Sequence, residues 1–324
     1  MKPFFTGLLL FIIITISCRT DSQNDHLKKL VSSIDALPGW VKNVVSVHVK
    51  TLLADPVLSS LIRGSSFFTM IQNLKKDAGI DIHRIVAGVA DMDSQKKEKP
   101  HIVLFIEANY NTQRTLKYIK DKAKKNKEEI IVEKSSGFIV LTSKKYRRQF
   151  KVALIHGKSI LIASAPKMDE VLERIRETSD SSKRKAIGFK SQKERKLKDL
   201  IGSVQKDHVL WGVFRLSDTT KSALGKWIKP THPVHKINTL TIALRRKQNT
   251  VLTLKAVAQD KTSAQVLMSF LETKRTGKLP FYLKLLFHKA KITRSENTIR
   301  VQLTLNNIEF KEIVRLLSSR KIFG

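Results

Sequence analysis

Apolar and polar residues alternate along this chain in short runs, and single amphipathic segments separate those runs. The same order recurs in two parts of the chain: an opening strand, a strand pair and then a helix. The predicted strands lie at 43–50, 85–90 and 102–108, and again at 208–215, 240–245 and 251–258. The helices that follow them are predicted at 112–125 and 262–273.

Each part then closes with a hairpin and a helix. The hairpins are predicted at 150–163 and 290–305. The apolar stripes of the closing helices are Met168, Val171, Leu172 and Ile175, and Phe310, Ile313, Val314 and Leu317. Both stripes have the spacing of a helix that packs on a sheet. Asn306 or Asn307 is expected to cap the second helix.

Hairpins separated by single helices predict the α+β class, with two similar halves. Each half is expected to be a mainly antiparallel sheet with helices packed on one face, because parallel strands need longer crossovers. An additional hairpin is predicted at 130–142 in the first half only. We interpret the shared order as an old duplication, with two unrelated α+β segments as the alternative.

The predicted boundaries follow from this order. They are a signal peptide at 1–17, a tether and leading helix at 18–39, a first repeat at 40–180, a basic linker at 181–206 and a second repeat at 207–324. The leading helix is expected to begin at His26, to bury Ile34 and to end at Pro38.

Residues 1–18 have the layout of an export signal. Lys2 precedes an apolar run at 4–16 that is shorter than the roughly 20 residues of a membrane-spanning helix. Cys18, the only cysteine, follows Thr15-Ile16-Ser17. This segment resembles the lipobox of bacterial lipoproteins, from which Thr15 and Ile16 depart. The resemblance implies lipid attachment at Cys18, and a plain secretory signal is the alternative.

The arrangement of residues 40–320 also resembles uncharacterised bacterial exported proteins built from duplicated strand-helix-hairpin units. That resemblance concerns architecture alone and brings no activity with it. Together with the resemblance to a lipobox, it implies a protein of the bacterial cell envelope, which we expect to be anchored to a membrane and to face the periplasm or the cell surface.

Charge narrows the class of partner. Lys and Arg number 61 against 28 Asp and Glu, a formal net charge of +33, which predicts a positive potential over much of the surface. Lys144, Lys145, Arg147 and Arg148 lie among aromatic residues and are candidates to contact an anion, although a basic turn leading into a strand explains them too. The basic stretch 183–198 is interpreted as a solvated linker rather than a nucleic-acid arm, because export removes most nucleic acid from reach.

Candidate chemistry is sparse. His232 and His235 are spaced as a metal pair, but no nearby residue completes a ligand set. Asp91 begins a calcium-like loop whose later ligand positions are lysines. Trp211, Trp227 and the pair at 281–282 either line a pocket between the halves or belong to the core. We therefore expect no metal and no cofactor.

These observations favour a noncatalytic cell-envelope lipoprotein that contacts anionic lipid, glycan or an acidic protein, and they make nucleic acid an unlikely partner. The alternative is an exported hydrolase with a site between the two halves. A passive structural or assembly protein is a third hypothesis. The sequence leaves the oligomeric state open.

Overall fold

The computed structural model describes most of the chain between Ser33 and Ser318. The described residues are 33–90, 100–135, 138–146, 149–179, 197, 199–202, 208–218, 221, 232–277 and 286–318. Within these ranges, no helix combines the length and the apolar character needed to cross a membrane.

In the described ranges, twelve strands form one continuous sheet in which every pairing is antiparallel. They are β1 (Val41–Val47), β2 (Asp81–Ala90), β3 (Ile102–Asn109), β4 (Ile130–Ser135), β5 (Phe138–Ser143), β6 (Phe150–Ile155), β7 (Ser159–Ser164), β8 (Leu210–Arg215), β9 (Ile237–Arg246), β10 (Thr250–Ala258), β11 (Ala290–Ser295) and β12 (Thr298–Leu305). Their spatial order is β11-β12-β10-β9-β8-β1-β2-β3-β7-β6-β5-β4.

The α-helices lie between these strands in the chain, except the last, which follows β12. They are α1 (Val49–Ala54), α2 (Pro56–Ile62), α3 (Ser66–Asn73), α4 (Thr112–Lys125), α5 (Met168–Ser179), α6 (Lys261–Thr276) and α7 (Asn307–Ser318). The N-terminus of α7 is a capping box: Asn306 Oδ1 accepts from the backbone N–H of Glu309 at 3.0 Å, and Glu309 Oε2 accepts from the backbone N–H of Asn306 at 3.1 Å. This confirms Asn306 as the cap.

The two opening strands meet at the centre of the sheet. β1 pairs with β8, with Val44 opposite Val213 and Val47 opposite Leu210. The expectation that each half has its own sheet is therefore wrong. An unpaired strand edge exposes backbone donors and acceptors, and joining β1 to β8 satisfies both edges at once.

Successive strand residues point to opposite sides, so the sheet has two faces. We call the side that carries Val44, Phe105 and Trp211 the front face, and the side that carries Val47, Leu210 and Leu244 the back face. Trp211 is fully buried. Removing so large a core side chain costs about 3–5 kcal/mol in proteins of this kind.

Helices cover both faces, which corrects the prediction that they pack on one face only. On the front face, the predicted stripe of α5 (Met168, Val171, Leu172 and Ile175) packs against β1–β3 and β5–β8. On the back face, α1, α3 and α4 cover the first half, and α2, α6 and α7 cover the second. The central strands have apolar residues at successive positions, as Val103, Leu104 and Phe105 do, and so need cover on both sides.

The predicted strands, hairpins and helices 112–125 and 262–273 are present, the latter as α6. The leading helix lies mostly outside the described residues, and its described end, 33–36, is a turn in which Ile34 is buried. The predicted linker is described only at 197 and 199–202, a helical stretch whose Leu197 and Ile201 are buried in the front-face core. That part of it packs on the core through its apolar residues, whereas Asp199 and Gly202 are exposed, so it is not a fully solvated linker.

Candidate functional site: a polar groove on the front face

The front face changes character at the boundary between β8 and β9. One row of directly opposed residues crosses eight strands. In order, it reads Val103, Gly88, Val44, Val213, Thr241, Lys255, Arg300 and Thr293. The apolar end lies in the core that α5 covers, and the other end presents hydroxyls and cations.

A cavity of about 400 Å³ follows this polar end of the sheet. Its lining residues are His208, Thr241, Ala243, Thr253, Lys255, Thr293, Arg294, Ser295, Thr298 and Arg300, and we call this set the polar groove. Besides His208, it combines the basic residues Lys255, Arg294 and Arg300 with five residues that carry hydroxyl groups, and none of the described lining residues has a carboxylate. Such a lining offers donors to an anion and nothing that repels one.

Lys255 and Arg300 lie directly opposite each other on β10 and β12. Within the part of the chain that the structure describes, neither side chain takes part in an ion pair, and their row neighbours Thr241 and Thr293 are uncharged. Like charges at directly opposed positions destabilise a sheet. The pair therefore weakens the fold unless an anion neutralises it.

Thr241 is the most buried hydroxyl of the groove. Its side chain is only 2% exposed, and its Oγ1 has no hydrogen-bond partner among the described residues. A buried hydroxyl without a partner costs about 1–3 kcal/mol relative to a satisfied one. Thr241 also faces Lys255 across the β9–β10 pairing, so this hydroxyl and that ammonium belong to adjacent strands on one face.

A second polar cluster lies on the first half of the sheet. Arg84 Nη2 donates to Glu107 Oε1 at 2.6 Å and to Ser33 Oγ at 3.1 Å, and Ser33 Oγ donates to the same carboxylate oxygen at 2.7 Å. Arg84 and Glu107 are 12% and 22% exposed. Because the carboxylate is paired with a guanidinium, the cluster is neutralised internally and acts as a structural tie between β2, β3 and the segment before β1.

His48 lies beside this cluster at the end of β1. Burial lowers the pKa of His48 from 6.5 to about 4, and the nearby Arg84 cation adds to the effect, whereas Glu107 opposes it and His208 contributes slightly in the same direction as burial. His48 Nε2 has no hydrogen-bond partner among the described residues. The imidazole is therefore neutral near pH 7 and linked electrostatically to a groove residue, His208.

These contacts do not make a hydrolytic site within the described residues. A serine hydrolase needs its nucleophile hydrogen-bonded to an imidazole and that imidazole oriented by a carboxylate. Here Ser33 donates to Glu107 directly, and His48 connects to neither through a hydrogen bond. The alternative hydrolase hypothesis gains no support from this cluster.

The sequence-predicted basic cluster lies elsewhere, at the turn between β5 and β6. Lys144 Nζ pairs with Glu129 at 2.6 Å, and Lys145 Nζ lies 5.2 Å from the centre of the Tyr146 ring. Arg147 and Arg148 lie outside the described residues. Seven strand positions separate β6 from β10, roughly 34 Å at about 4.8 Å per strand, so the turn and the polar groove are distinct places.

The other candidate residues from the sequence have structural roles or lie outside the described residues. His232 Nδ1 accepts from the backbone N–H of Val234 at 3.3 Å and its ring meets Phe270 edge-on at 4.6 Å, which makes it the cap of a short turn. The described residues contain no group of three or more potential metal ligands. Trp211 is core, whereas Cys18, Asp91, Trp227 and the pair at 281–282 lie outside the described residues.

The chain matches no protein-family model, no curated protein and no solved structure.

Sequence reasoning missed the groove, although a signal for it is present. In 298–305, Thr298, Arg300, Gln302 and Thr304 alternate with apolar residues, which puts all four polar side chains on one face of β12. From the sequence alone, this alternation predicts a strand and does not indicate a binding site. Finding the groove also requires knowing that β10 lies beside β12, which brings Lys255 next to Arg300.

Proposed function

We propose that this protein is a noncatalytic lipoprotein of the bacterial cell envelope, attached to a membrane through Cys18, and that it binds an anionic ligand in the polar groove. The observation that carries the binding role is the opposition of Lys255 and Arg300 on one face, with no carboxylate among the groove residues that the structure describes. Cations and hydroxyl donors that lie together on one face are the groups that bind an anion through charge-assisted hydrogen bonds.

The groove is a better candidate than the basic turn at Lys144 and Lys145. Glu129 already neutralises Lys144, and Lys145 lies over an aromatic ring. In the groove, by contrast, the cations converge from adjacent strands and hydroxyl donors surround them.

The two halves of the chain support the proposed duplication. In the spatial order, β1-β2-β3-β7-β6 on one side of the β1–β8 junction corresponds to β8-β9-β10-β12-β11 on the other, and in both cases the last hairpin returns to the third strand. The additional hairpin β4–β5 continues the first half outward. If the halves share an origin, the second has exchanged its front-face apolar residues for a binding surface.

Binding to dextran sulfate and to phosphatidylglycerol vesicles tests the function. The full-length protein, purified in detergent, is compared with a Lys255→Gln/Arg300→Gln variant and a matched Lys144→Gln/Lys145→Gln variant. Each cation near an anionic surface contributes about 1 kcal/mol, so the groove variant is expected to bind at least one of these probes roughly 10- to 30-fold more weakly at low salt.

The matched variant loses the same charge at the turn and is expected to bind almost normally. High salt should weaken binding of the wild-type protein. Equal losses in the two variants would show that only net charge matters, and unchanged binding in the groove variant would refute the groove as the site.

A further inference from the structure

We infer, on the basis of the proposed function, that the polar groove contains a subsite for one tetrahedral oxyanion, a phosphate or sulfate ester on a polysaccharide or other extended polymer, held by Thr241, Lys255 and Arg300. The three residues lie side by side on β9, β10 and β12. Such a subsite differs from a generally basic surface in two ways: it has a specific uncharged donor, the Thr241 hydroxyl, and it selects one chemical class of ligand.

Thr241 is the residue that makes this a built site. Its hydroxyl is buried beneath the groove and has no hydrogen-bond partner in the described part of the chain. Valine would fill the same space without leaving a polar atom unsatisfied. The Thr241 hydroxyl therefore costs stability in the ligand-free protein and is satisfied when an anion oxygen accepts from it.

Lys255 and Arg300 supply the charge from the neighbouring strands. Lys255 faces Thr241 on one side and Arg300 on the other. Lysine is a flexible point charge, and arginine is a planar fork that binds two oxygens at once. Because Thr241 is almost fully buried, an anion oxygen reaches its hydroxyl only after neighbouring side chains of the groove have moved.

The composition of the groove selects the ligand class. Three donor groups on adjacent strands match the several peripheral oxygens of a phosphate or sulfate better than the two coplanar oxygens of a carboxylate. The described lining residues include no Trp, Tyr or Phe, so they do not form the stacking platform on which single-stranded nucleic acid binds. Because the Thr241 hydroxyl is buried below the surface, an anionic group that projects from a polymer can reach it more easily than a headgroup in the flat surface of a membrane can.

The rest of the groove extends the contact along a polymer. Thr298 and Ser295 oppose each other in the next row on the same face, about 7 Å from Arg300 and Thr293 along the strands. Thr253 lines the groove on the other side of Lys255. These hydroxyls can donate hydrogen bonds to, and accept them from, the sugar hydroxyls next to the anionic group.

The test is a Thr241→Val variant of the full-length protein in detergent, with Thr142→Val as its matched control. Thr142 is also a buried strand threonine whose Oγ1 has no partner among the described residues, but it lies on β5, far from the groove. Affinity is measured for polyphosphate, dextran sulfate and polygalacturonate, and for phosphatidylglycerol vesicles. Unfolding by denaturant is measured in parallel.

We expect Thr241→Val to be at least as stable as the wild type. We expect it to bind polyphosphate, dextran sulfate or both about tenfold more weakly, because that is the usual effect of losing one hydrogen bond to a charged group. If only polyphosphate binding depends on Thr241, the natural group is a phosphate, and if only dextran sulfate binding does, it is a sulfate. Thr142→Val should not change binding. If Thr241→Val does not fold, Thr241→Ser against Thr241→Ala provides the same comparison, with serine retaining affinity.

Other outcomes overturn the inference. If Thr241→Val binds normally while Lys255→Gln/Arg300→Gln does not, the anion-binding function stands but the subsite is wrong. If polygalacturonate binds as tightly as the phosphate and sulfate polymers, the tetrahedral class is wrong, and if only vesicle binding depends on Thr241, a lipid headgroup replaces the polymer. If neither variant changes binding, the proposed function fails with it.

Discussion

Arg246 and Asp55 form a buried ion pair between residues 191 positions apart in the chain. Arg246 Nε donates to Asp55 Oδ2 at 3.0 Å, and both side chains are 3% exposed. Asp55 Oδ1 also accepts from the backbone N–H of Val57 at 2.8 Å as the N-cap of α2, and Arg246 Nη1 donates to Thr250 Oγ1 at 2.7 Å. One carboxylate therefore begins a helix of the first half and ties it to the β9–β10 hairpin of the second.

Breaking this pair is expected to be costly. Asp55→Ala leaves the Arg246 guanidinium buried without its carboxylate and removes the helix cap, so we expect a loss of about 3–5 kcal/mol in the free energy of unfolding, measured with denaturant. Asp55→Asn keeps a capping oxygen and should lose less. Glu129→Ala breaks the exposed pair with Lys144 and should cost less than about 1 kcal/mol. Similar values for Asp55→Ala and Glu129→Ala would show that the buried pair has no special weight.

Stability is expected to fall as the pH is lowered from about 6.5 to about 4, in part because of His48. The pKa of His48 is about 4 in the folded protein, compared with 6.5 for an ordinary histidine, which we take for the unfolded chain. Between pH 4 and pH 6.5, the imidazole is therefore protonated more in the unfolded chain than in the folded protein. The contribution is of order 3 kcal/mol, fully present above pH 6.5 and lost towards pH 4.

His48→Gln isolates this contribution, since the other histidines remain. Burial also lowers the pKa of His83, so the wild type and the variant should both lose stability on acidification, with the variant losing less. Parallel curves of unfolding free energy against pH would contradict the assignment to His48.

Neutralising Lys255 should make the ligand-free protein more stable. Lys255→Gln removes the repulsion from Arg300 directly opposite, so we expect a gain of a few tenths to about 1 kcal/mol at low salt that shrinks as salt is added. The control is Lys134→Gln on β4, whose opposite residue is Ile139 and whose change should be near zero. A destabilised Lys255→Gln variant would mean that the like-charge pair is not the strain we infer.

Lipid attachment is tested at Cys18. Cells that express the native chain and a Cys18→Ala variant are grown with a labelled fatty acid, and the label is expected in the native protein only. If the variant retains the label, attachment lies elsewhere, and if neither protein is labelled, the plain secretory alternative replaces the lipoprotein hypothesis.

Local patterns were sufficient to predict most elements of the fold. Thr112–Lys125 was predicted with the bounds that α4 has in the structure, and the turn at 156–158 joins β6 to β7 as expected. The stripe Met168, Val171, Leu172 and Ile175 is buried as its spacing indicates. These features depend on residues within one or two turns of each other, and that is the range over which a sequence pattern carries direct information.

The candidate site was not predictable in the same way. The basic run at 144–148 is conspicuous because its charges are adjacent in the sequence, yet Lys144 is paired with Glu129. Lys255 and Arg300 are 45 residues apart and become neighbours only through the β10–β12 pairing. Thr241 has nothing in its own sequence context that marks it as buried and unsatisfied.

By itself, the sequence determined most of the strands, the helices α4 to α7, the Asn cap of α7 and the α+β class, because hydrophobic period and capping chemistry act locally. Only the tertiary structure decided that β1 and β8 join the halves into one sheet, that helices cover both faces, and that hydroxyls and cations from β9, β10 and β12 share one groove. The reason is that strand partners and register are set by long-range hydrogen bonding and burial, which depend on the whole chain at once.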